Sequence, residues 1–375
     1  MRKLNVGLTV QINDKKDSFW VNGIKQNAVT LREMFALCPN VASAKLVNLG
    51  SLRDYEGSVW NEYKENLTDF NTFVENGDVL ITATVTPTPE MTETCGRKNI
   101  PIVKHIMGNE MGLFVAHCIY EFENQFNSYN KRKNYKAVWI SPHIYEHNRS
   151  FFEIVTDSPA SIGPYVWTDK FINEHAKGYK ERYGNEALYE PSDKKEKRIS
   201  VFEPNIGYEK TCILPVVALE KLYDKNPDLI EFANIFGSDN IKNKKIFVEF
   251  ATSLNINKGK KLFFEARYPI VWALKAHTDI MLAHQHDLSL NYAYFDAAWL
   301  GYPVVHNAHM IKDLGFYYSK WDGDKAASKL EDVILNFDEK YHGDYLKRSR
   351  KYIRKFFWNH PRNVEGYANL LDKVA

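Results

Sequence analysis

Apolar residues in this chain come in short runs, and polar turns or turns bearing glycine or proline separate them. Residues 4–12, 44–49, 79–85, 100–106, 137–141 and 152–155 each hold a run suited to a strand buried on both faces. Stretches with helical spacing lie between them, one running through residue 37 and another over 90–98. A proline- and glycine-bearing segment at 159–167 reads as a hinge, and the polar stretch 183–198 as a solvated loop. The alternation then restarts. Strands are expected at 199–202, 231–236, 262–266, 280–283, 304–305 and 316–318, with helices over 208–223, 247–254, 269–276 and 324–337. The stretch 341–375 reads as helical, with an interruption near Pro361. Strands alternating with helices predict a parallel sheet covered on both faces, and a restarted alternation predicts two such α/β domains.

One stretch organises the second half. Residues 279–307, DIMLAHQHDLSLNYAYFDAAWLGYPVVHN, read as strand, loop, helix and strand. His284, Gln285, His286 and Asp287 form the loop, and Ser289 or Asn291 is placed to cap the helix. Tyr292, Phe295 and Trp299 fall at i, i+3 and i+7, which predicts one buried helix face. Gly301 stops that helix, and Pro303 precedes the return to the sheet. Asp296 on this helix puts a carboxylate near the carboxyl ends of parallel strands, where doubly wound folds hold ligands. Lys210, after the turn at 203–207, offers a point charge beside a helix N-terminus, and Arg267 is a second cation after another strand. His284 and His286 flank Gln285, a spacing that raises metal ligation, but no third ligand has a claim.

The spacing of Asp296, Gly301 and Pro303 resembles the acidic-Ala-x-x-x-Gly-x-Pro-Val signature of GT-B glycosyltransferases. The wider pattern is similar to a GT-B-like family found in bacteria and their phages. It is carried by Trp20, Asn22-Gly23-Ile24, Gln26-Asn27, Leu46-Val47-Asn48, Gly108-Asn109-Glu110, Pro164-Tyr165-Val166-Trp167 and Glu203-Pro204-Asn205 with Lys210. In the second half it continues through His284-Gln285, Asn291-Tyr292, Asp296, Gly301-Tyr302-Pro303 and His306-Asn307. One departure stands out. The signature has a Glu eight residues before its acidic position, where this chain has Leu288, with Asp287 adjacent.

The resemblance implies a GT-B fold, two Rossmann-like domains facing a cleft, with C-terminal helices crossing back to the first. Residues 1–165, joined by 356–375, would be the acceptor domain, and 166–355 the nucleotide-sugar donor domain. Asp296 would hold the ribose hydroxyls of the donor, a UDP-sugar as first candidate. Lys210 and His284 would act in catalysis, and Gly23, Asn205, Arg267, Gln285, Asn291 and Tyr292 would complete the donor contacts. GT-B enzymes typically use no metal, so neither a metal nor a tightly bound cofactor is expected. A hydroxyl acceptor in an inverting reaction needs a general base. Glu110 is preferred over Asp157, His143 and His147, because Gly108-Asn109 lets the backbone approach a sugar.

Composition narrows the partners. The 49 basic and 47 acidic residues leave a formal net charge of +2, so no global field argues for nucleic acid or an anionic membrane. Local patches do. Residues 345–358 interleave lysines and arginines with aromatics, and Lys131, Arg132, Lys133 and Lys136 lie elsewhere in the chain. The aromatics also fit an amphipathic core face with Tyr345, Tyr352, Ile353 and Phe356 buried. As a surface, a basic-aromatic patch of this kind suits double-stranded DNA, and the first-choice acceptor is a 5-hydroxymethyl pyrimidine in phage DNA. The alternatives are a surface polysaccharide or lipopolysaccharide acceptor and a non-catalytic nucleotide-sugar binder. Cys38, Cys95, Cys118 and Cys212 form no CxxC pair and read as reduced thiols. With no apolar stretch approaching about 18 residues, no transmembrane span is expected and the protein is placed in the cytoplasm, the host cell's if phage-encoded.

Overall fold

The computed structural model describes residues 2–20, 23–120 and 134–375. Asn22, which helps carry the family resemblance, and the basic trio Lys131, Arg132 and Lys133 lie outside them. The chain divides into two compact units, Met1–Thr168 with Phe356–Ala375, and Asp169–Lys355.

The first unit is built on a parallel sheet of β1 (Leu4–Val10), β2 (Val41–Asn48), β3 (Leu67–Asp69), β4 (Val79–Thr82), β5 (Ile102–Ile106), β6 (Ala137–Ile140) and β7 (Ala160–Ile162). Their order is β3-β2-β1-β4-β5-β6-β7. Val6 pairs with Ala44 on one side and Val79 on the other, and Val6, Leu8 and Val10 are fully buried. Helices cover both faces, so β1 reads as a continuous apolar run with no alternation. The C-terminal helix Pro361–Leu371 belongs to this unit: Tyr367 packs against Phe35 and Trp139, and its hydroxyl donates to the Pro164 carbonyl at 2.9 Å.

Three sequence expectations need correction here. Residues 152–155 are not a strand; they lie in the helix Tyr145–Thr156. A four-residue apolar run is ambiguous, and the wider window decides: Arg149 and Glu153 pair at i,i+4 across 3.2 Å, while Phe152 is buried and Ile154 is 71% exposed. Asp157 ends that helix at φ 53° and His147 lies within it, so neither follows a strand. The expected hinge contains β7, and residues 59–76, unassigned from sequence, supply a 3₁₀ turn, β3 and the helix Phe70–Asn76. Asp69 caps that helix by accepting from the Thr72 amide at 3.0 Å.

The second unit holds β8 (Lys197–Val201), β9 (Ile230–Ile235), β10 (Leu262–Phe264), β11 (Ile280–Leu282), β12 (Val304–His306) and β13 (Phe316–Tyr317), all parallel. The order β10-β9-β8-β11-β12-β13 repeats the winding of the first unit. The helix expected from residue 208 begins at Ile213. A short turn takes its place, in which the Asn205 amide donates to the Lys210 carbonyl at 3.1 Å and the Lys210 amide to the Gly207 carbonyl at 3.3 Å. Asn205 permits it by taking φ 53°, a conformation asparagine tolerates. The helix Tyr292–Trp299 buries Tyr294, Phe295, Ala297, Ala298 and Trp299, while Tyr292 is only half-buried, so its inward face is displaced from the expected one. Among the described residues, no helix is long and apolar enough to cross a membrane.

Candidate functional site

Each sheet reverses its winding at its first strand, between β1 and β4 and between β8 and β11. Ligands of doubly wound sheets bind beyond the carboxyl ends of strands at such points. Arg198 and Asp279 fix the second of these. The Arg198 amide donates to Asp279 Oδ2 at 2.8 Å, its guanidinium reaches Asp279 Oδ1 at 2.6 Å, and the Asp279 amide donates to the Arg198 carbonyl at 2.7 Å. The fork sets β8 against β11, so the residues beyond their ends, Glu203 and His284, are held side by side.

Glu203 is fully buried. Its Oε1 accepts from the Tyr294 hydroxyl at 2.8 Å and from the His284 amide at 3.3 Å, and among the described residues its Oε2 meets no hydrogen-bonding group. Burial pushes the carboxyl up to about 7, against the lowering influence of Lys210, the Tyr294 hydroxyl and the His284 amide. Lys210, in the same loop, is moved below the ordinary lysine value by burial and is opposed by Glu203 and Glu209.

His284 is buried, and burial, with a smaller contribution from His286, lowers its imidazole to about 4. The ring is therefore neutral at physiological pH. The Tyr318 hydroxyl donates to the Ala283 carbonyl at 3.0 Å, which leaves its oxygen to accept from His284 Nδ1–H, also at 3.0 Å. This tautomer leaves Nε2 as an acceptor, and among the described residues no group meets it. Trp321 stands edge to face with both His284 and His286, at centroid distances of 4.9 and 4.6 Å. Tyr318, Tyr294 and Trp321 were not singled out from sequence. Their hydroxyls and ring act across long chain separations that local pattern does not encode.

The other candidate residues divide into two groups. Asn291 caps the helix by accepting from the Ala293 amide at 3.1 Å, Tyr292 opens that helix, and half-buried Asp296 lies one turn further in. These three share the helix that brings Tyr294 to Glu203. Asn205 and Gln285 instead spend their amides on the loops themselves. Asn205 binds the Glu203 carbonyl at 2.8 Å and accepts from the Cys212 amide at 2.8 Å. The Gln285 side-chain oxygen accepts from the Leu288 amide, its Nε2 donates to Asn307 Oδ1 at 3.3 Å, and its backbone N–H donates to the same oxygen at 2.9 Å. Arg267 follows β10 and is exposed. Gly23 and Glu110 belong to the first unit, where Gly23 opens the helix Gly23–Phe35 and Glu110 lies 3.1 Å from Lys104 Nζ at the start of the helix Glu110–Tyr120. Among the described residues, no group of three or more His, Cys, Asp or Glu could hold a metal ion.

Solved structures resemble this chain over its length at low identity. A glycosyltransferase from Rickettsia africae ESF-5 is 12% identical with a TM-score of 0.53, the match covering 100% of this chain and 98% of that one. The α,α-trehalose 6-phosphate synthase of Burkholderia multivorans is 11% identical with a TM-score of 0.56, over 100% and 98%. HepE of Anabaena, in complex with UDP-glucose, is 10% identical with a TM-score of 0.53, over 98% and 100%. At these identities the likeness speaks to the fold, which is GT-B. No curated protein sequence matches significantly. The family described as "Protein of unknown function (DUF2827)" matches residues 6–371.

Proposed function

The chain belongs to that family, and from this premise we propose that it is a glycosyltransferase, moving a sugar from a nucleoside-diphosphate sugar to an acceptor hydroxyl. The observation that carries the reading is the cluster at the β8/β11 switch point, where Lys210, neutral His284 and the capped start of the helix Tyr292–Trp299 surround the strand ends. A diphosphate that leaves with the electron pair of the C1–O bond needs cations and dipoles aimed at its oxygens. Lys210 supplies the charge, and the first amides of the helix supply the dipole. His284 Nε2 accepts from a hydroxyl of the bound sugar. Asp296 takes the ribose hydroxyls, and Glu110 of the first unit takes the acceptor proton as its oxygen bonds to C1. UDP-sugars are the first donors to test, a choice supported by the UDP-glucose carried by the Anabaena relative. The donor is a substrate, and no resident cofactor enters the scheme.

Calorimetry with UDP tests the donor site. Asp296→Ala removes hydrogen bonds to a charged group at a total cost of about 1.5–3 kcal/mol, so affinity should fall roughly ten- to a hundredfold. An unchanged affinity in the folded variant removes the central claim. A protein that binds UDP-glucose but neither hydrolyses nor transfers it is a nucleotide-sugar binder. For the acceptor we propose a polyanion, hydroxymethylated DNA first and an acidic surface glycan second. The exposed row Lys347, Arg348, Lys351 and Arg354 supports this choice.

A further inference from the structure

Glu203 has no part in the transfer just described, yet it is an enclosed carboxyl at the centre of that site. Its surroundings are ionisable on every side. Lys210 and Cys212 come from its own loop, with Glu209 acting on Lys210. His284 comes from the turn after β11, Tyr294 from the helix Tyr292–Trp299, and Tyr318 from the segment after β13. Lys210 is the cation among them. Among the described residues two donors reach Glu203, both at Oε1, at 2.8 and 3.3 Å, and the buried Oε2 has no hydrogen-bond partner there.

We propose that Glu203 is a positioning residue that takes up one proton from solvent when the donor binds: it serves Lys210 as counter-charge in the empty site, and its Oε2 is protonated when an anionic diphosphate replaces it in that role. The inference rests on the donor-site reading of Lys210. Its physical basis is that two anions cannot share one partly buried ammonium without strong repulsion in a low-dielectric site. Protonation relieves this with little rearrangement, because a proton on Oε2 leaves both bonds to Oε1 intact. The proton comes from solvent and returns there when the diphosphate leaves. A charged partner thus becomes a neutral one, while Tyr294 and the His284 amide keep the carboxyl, the β11 turn and the helix in register. Burial has already brought the group to about 7, so the exchange falls in the neutral range.

The test is titration calorimetry of UDP-glucose at pH 6, 7 and 8, in buffers of different ionisation enthalpy. The diphosphate of this probe does not itself ionise in that range. With a free-state midpoint of about 7, uptake should rise from about a tenth of a proton at pH 6 to about nine-tenths at pH 8, and affinity should fall about fivefold between pH 7 and pH 8. Glu203→Gln keeps an acceptor for Tyr294 and the His284 amide, and should bind without proton exchange and without this pH dependence. Tyr294→Phe removes a bond that favours the carboxylate, and should move the midpoint upward; it carries the test if Glu203→Gln does not fold. Binding without uptake by the wild-type protein overturns the proposal. Uptake that persists in Glu203→Gln assigns the proton to Lys210 and overturns it equally. Failure of UDP-, ADP- and GDP-sugars alike to bind overturns the donor-site reading, and this inference with it.

Discussion

The two units repeat one winding order, yet they use the polar residues at their switch points differently. In the first unit those residues are spent on holding loops. Thr9 Oγ donates to the Val85 carbonyl at 2.6 Å and accepts from the Ala83 amide at 3.1 Å. Asn48 accepts from the Ile12 and Gly50 amides at 2.9 and 2.8 Å, and donates to the Leu52 carbonyl at 2.8 Å. In the second unit Glu203 Oε2 and His284 Nε2 are buried with hydrogen-bonding capacity unused. Buried polar atoms in folded proteins are nearly always satisfied. Asn40 Oδ1 and His105 Nδ1 of the first unit are also unpartnered among the described residues. Glu203 and His284, however, stand together beyond the ends of β8 and β11, joined by the His284 amide, and mark a place adapted to something other than stability. A shared topology therefore sets where chemistry can sit, and the side chains decide which copy carries it.

The sharpest way to break this comparison is to disarm each unit in turn. Glu110→Gln should lower kcat by about 10²–10⁴, the usual contribution of a general base, with donor affinity unchanged. Lys210→Ala should weaken donor binding and lower kcat/KM by about 10²–10³, the scale for losing one stabiliser of developing charge. Calorimetry beside steady-state kinetics separates the two. If Glu110→Gln is fully active, the base lies elsewhere and the first unit's part in the chemistry must be reassigned.

A smaller effect tests whether the unsatisfied carboxyl weakens the fold. Glu203 is raised from 4.5 to about 7 by burial, so the folded state binds its proton more tightly than the unfolded chain does. Its contribution is then fully present below about pH 4.5 and is lost as pH rises through about 7. The shift corresponds to at most about 3 kcal/mol. Urea unfolding at pH 5 and pH 8 should show wild type losing stability relative to Glu203→Gln across that interval. A constant difference between the two proteins would mean that the carboxyl is hydrated in the folded state.

Much of this was legible in the sequence, and the gaps have physical causes. Helix capping and the Gly301-Pro303 stop located the helix Tyr292–Trp299, because caps and breakers act within a few residues. The fold class followed from runs such as β1 and β4, whose burial on both faces leaves no alternation to misread. The Phe151-Phe152 region failed because a short apolar run fits a strand or a helix equally well. Lys210 and His284 were singled out, and Glu203 was named without a role. What makes Glu203 chemically unusual is the hydroxyl of Tyr294, far along the chain, and enclosure by elements that no local pattern connects.

The weakest expected effect concerns the outer face of the second unit, and it asks whether charge there matters as charge at the switch point does. The helix His342–Ile353 could be read from sequence as a basic-aromatic surface or as an amphipathic helix with its aromatics in the core. The structure takes the second course for Tyr345 and Ile353, while Tyr352 stays half-buried. Tyr345 and Ile353 face inward with Ser349, and Arg350 donates to the Trp299 carbonyl at 3.0 Å while stacking on that indole. Arg350 is thus part of the packing and should be left in place. Lys347, Arg348 and Lys351 remain exposed in a row. Exposed charges are screened by salt, so each contributes little at physiological ionic strength. Contacts with a nucleic-acid backbone nevertheless add a measurable slope, about 0.9 in log affinity against log salt for each phosphate neutralised. Replacing the three with Ala should therefore lower the slope for hydroxymethylated duplex DNA by up to about 2.7, with the affinity for UDP unchanged. A slope that stays the same identifies the row as solvated surface and leaves the glycan acceptor as the reading to pursue.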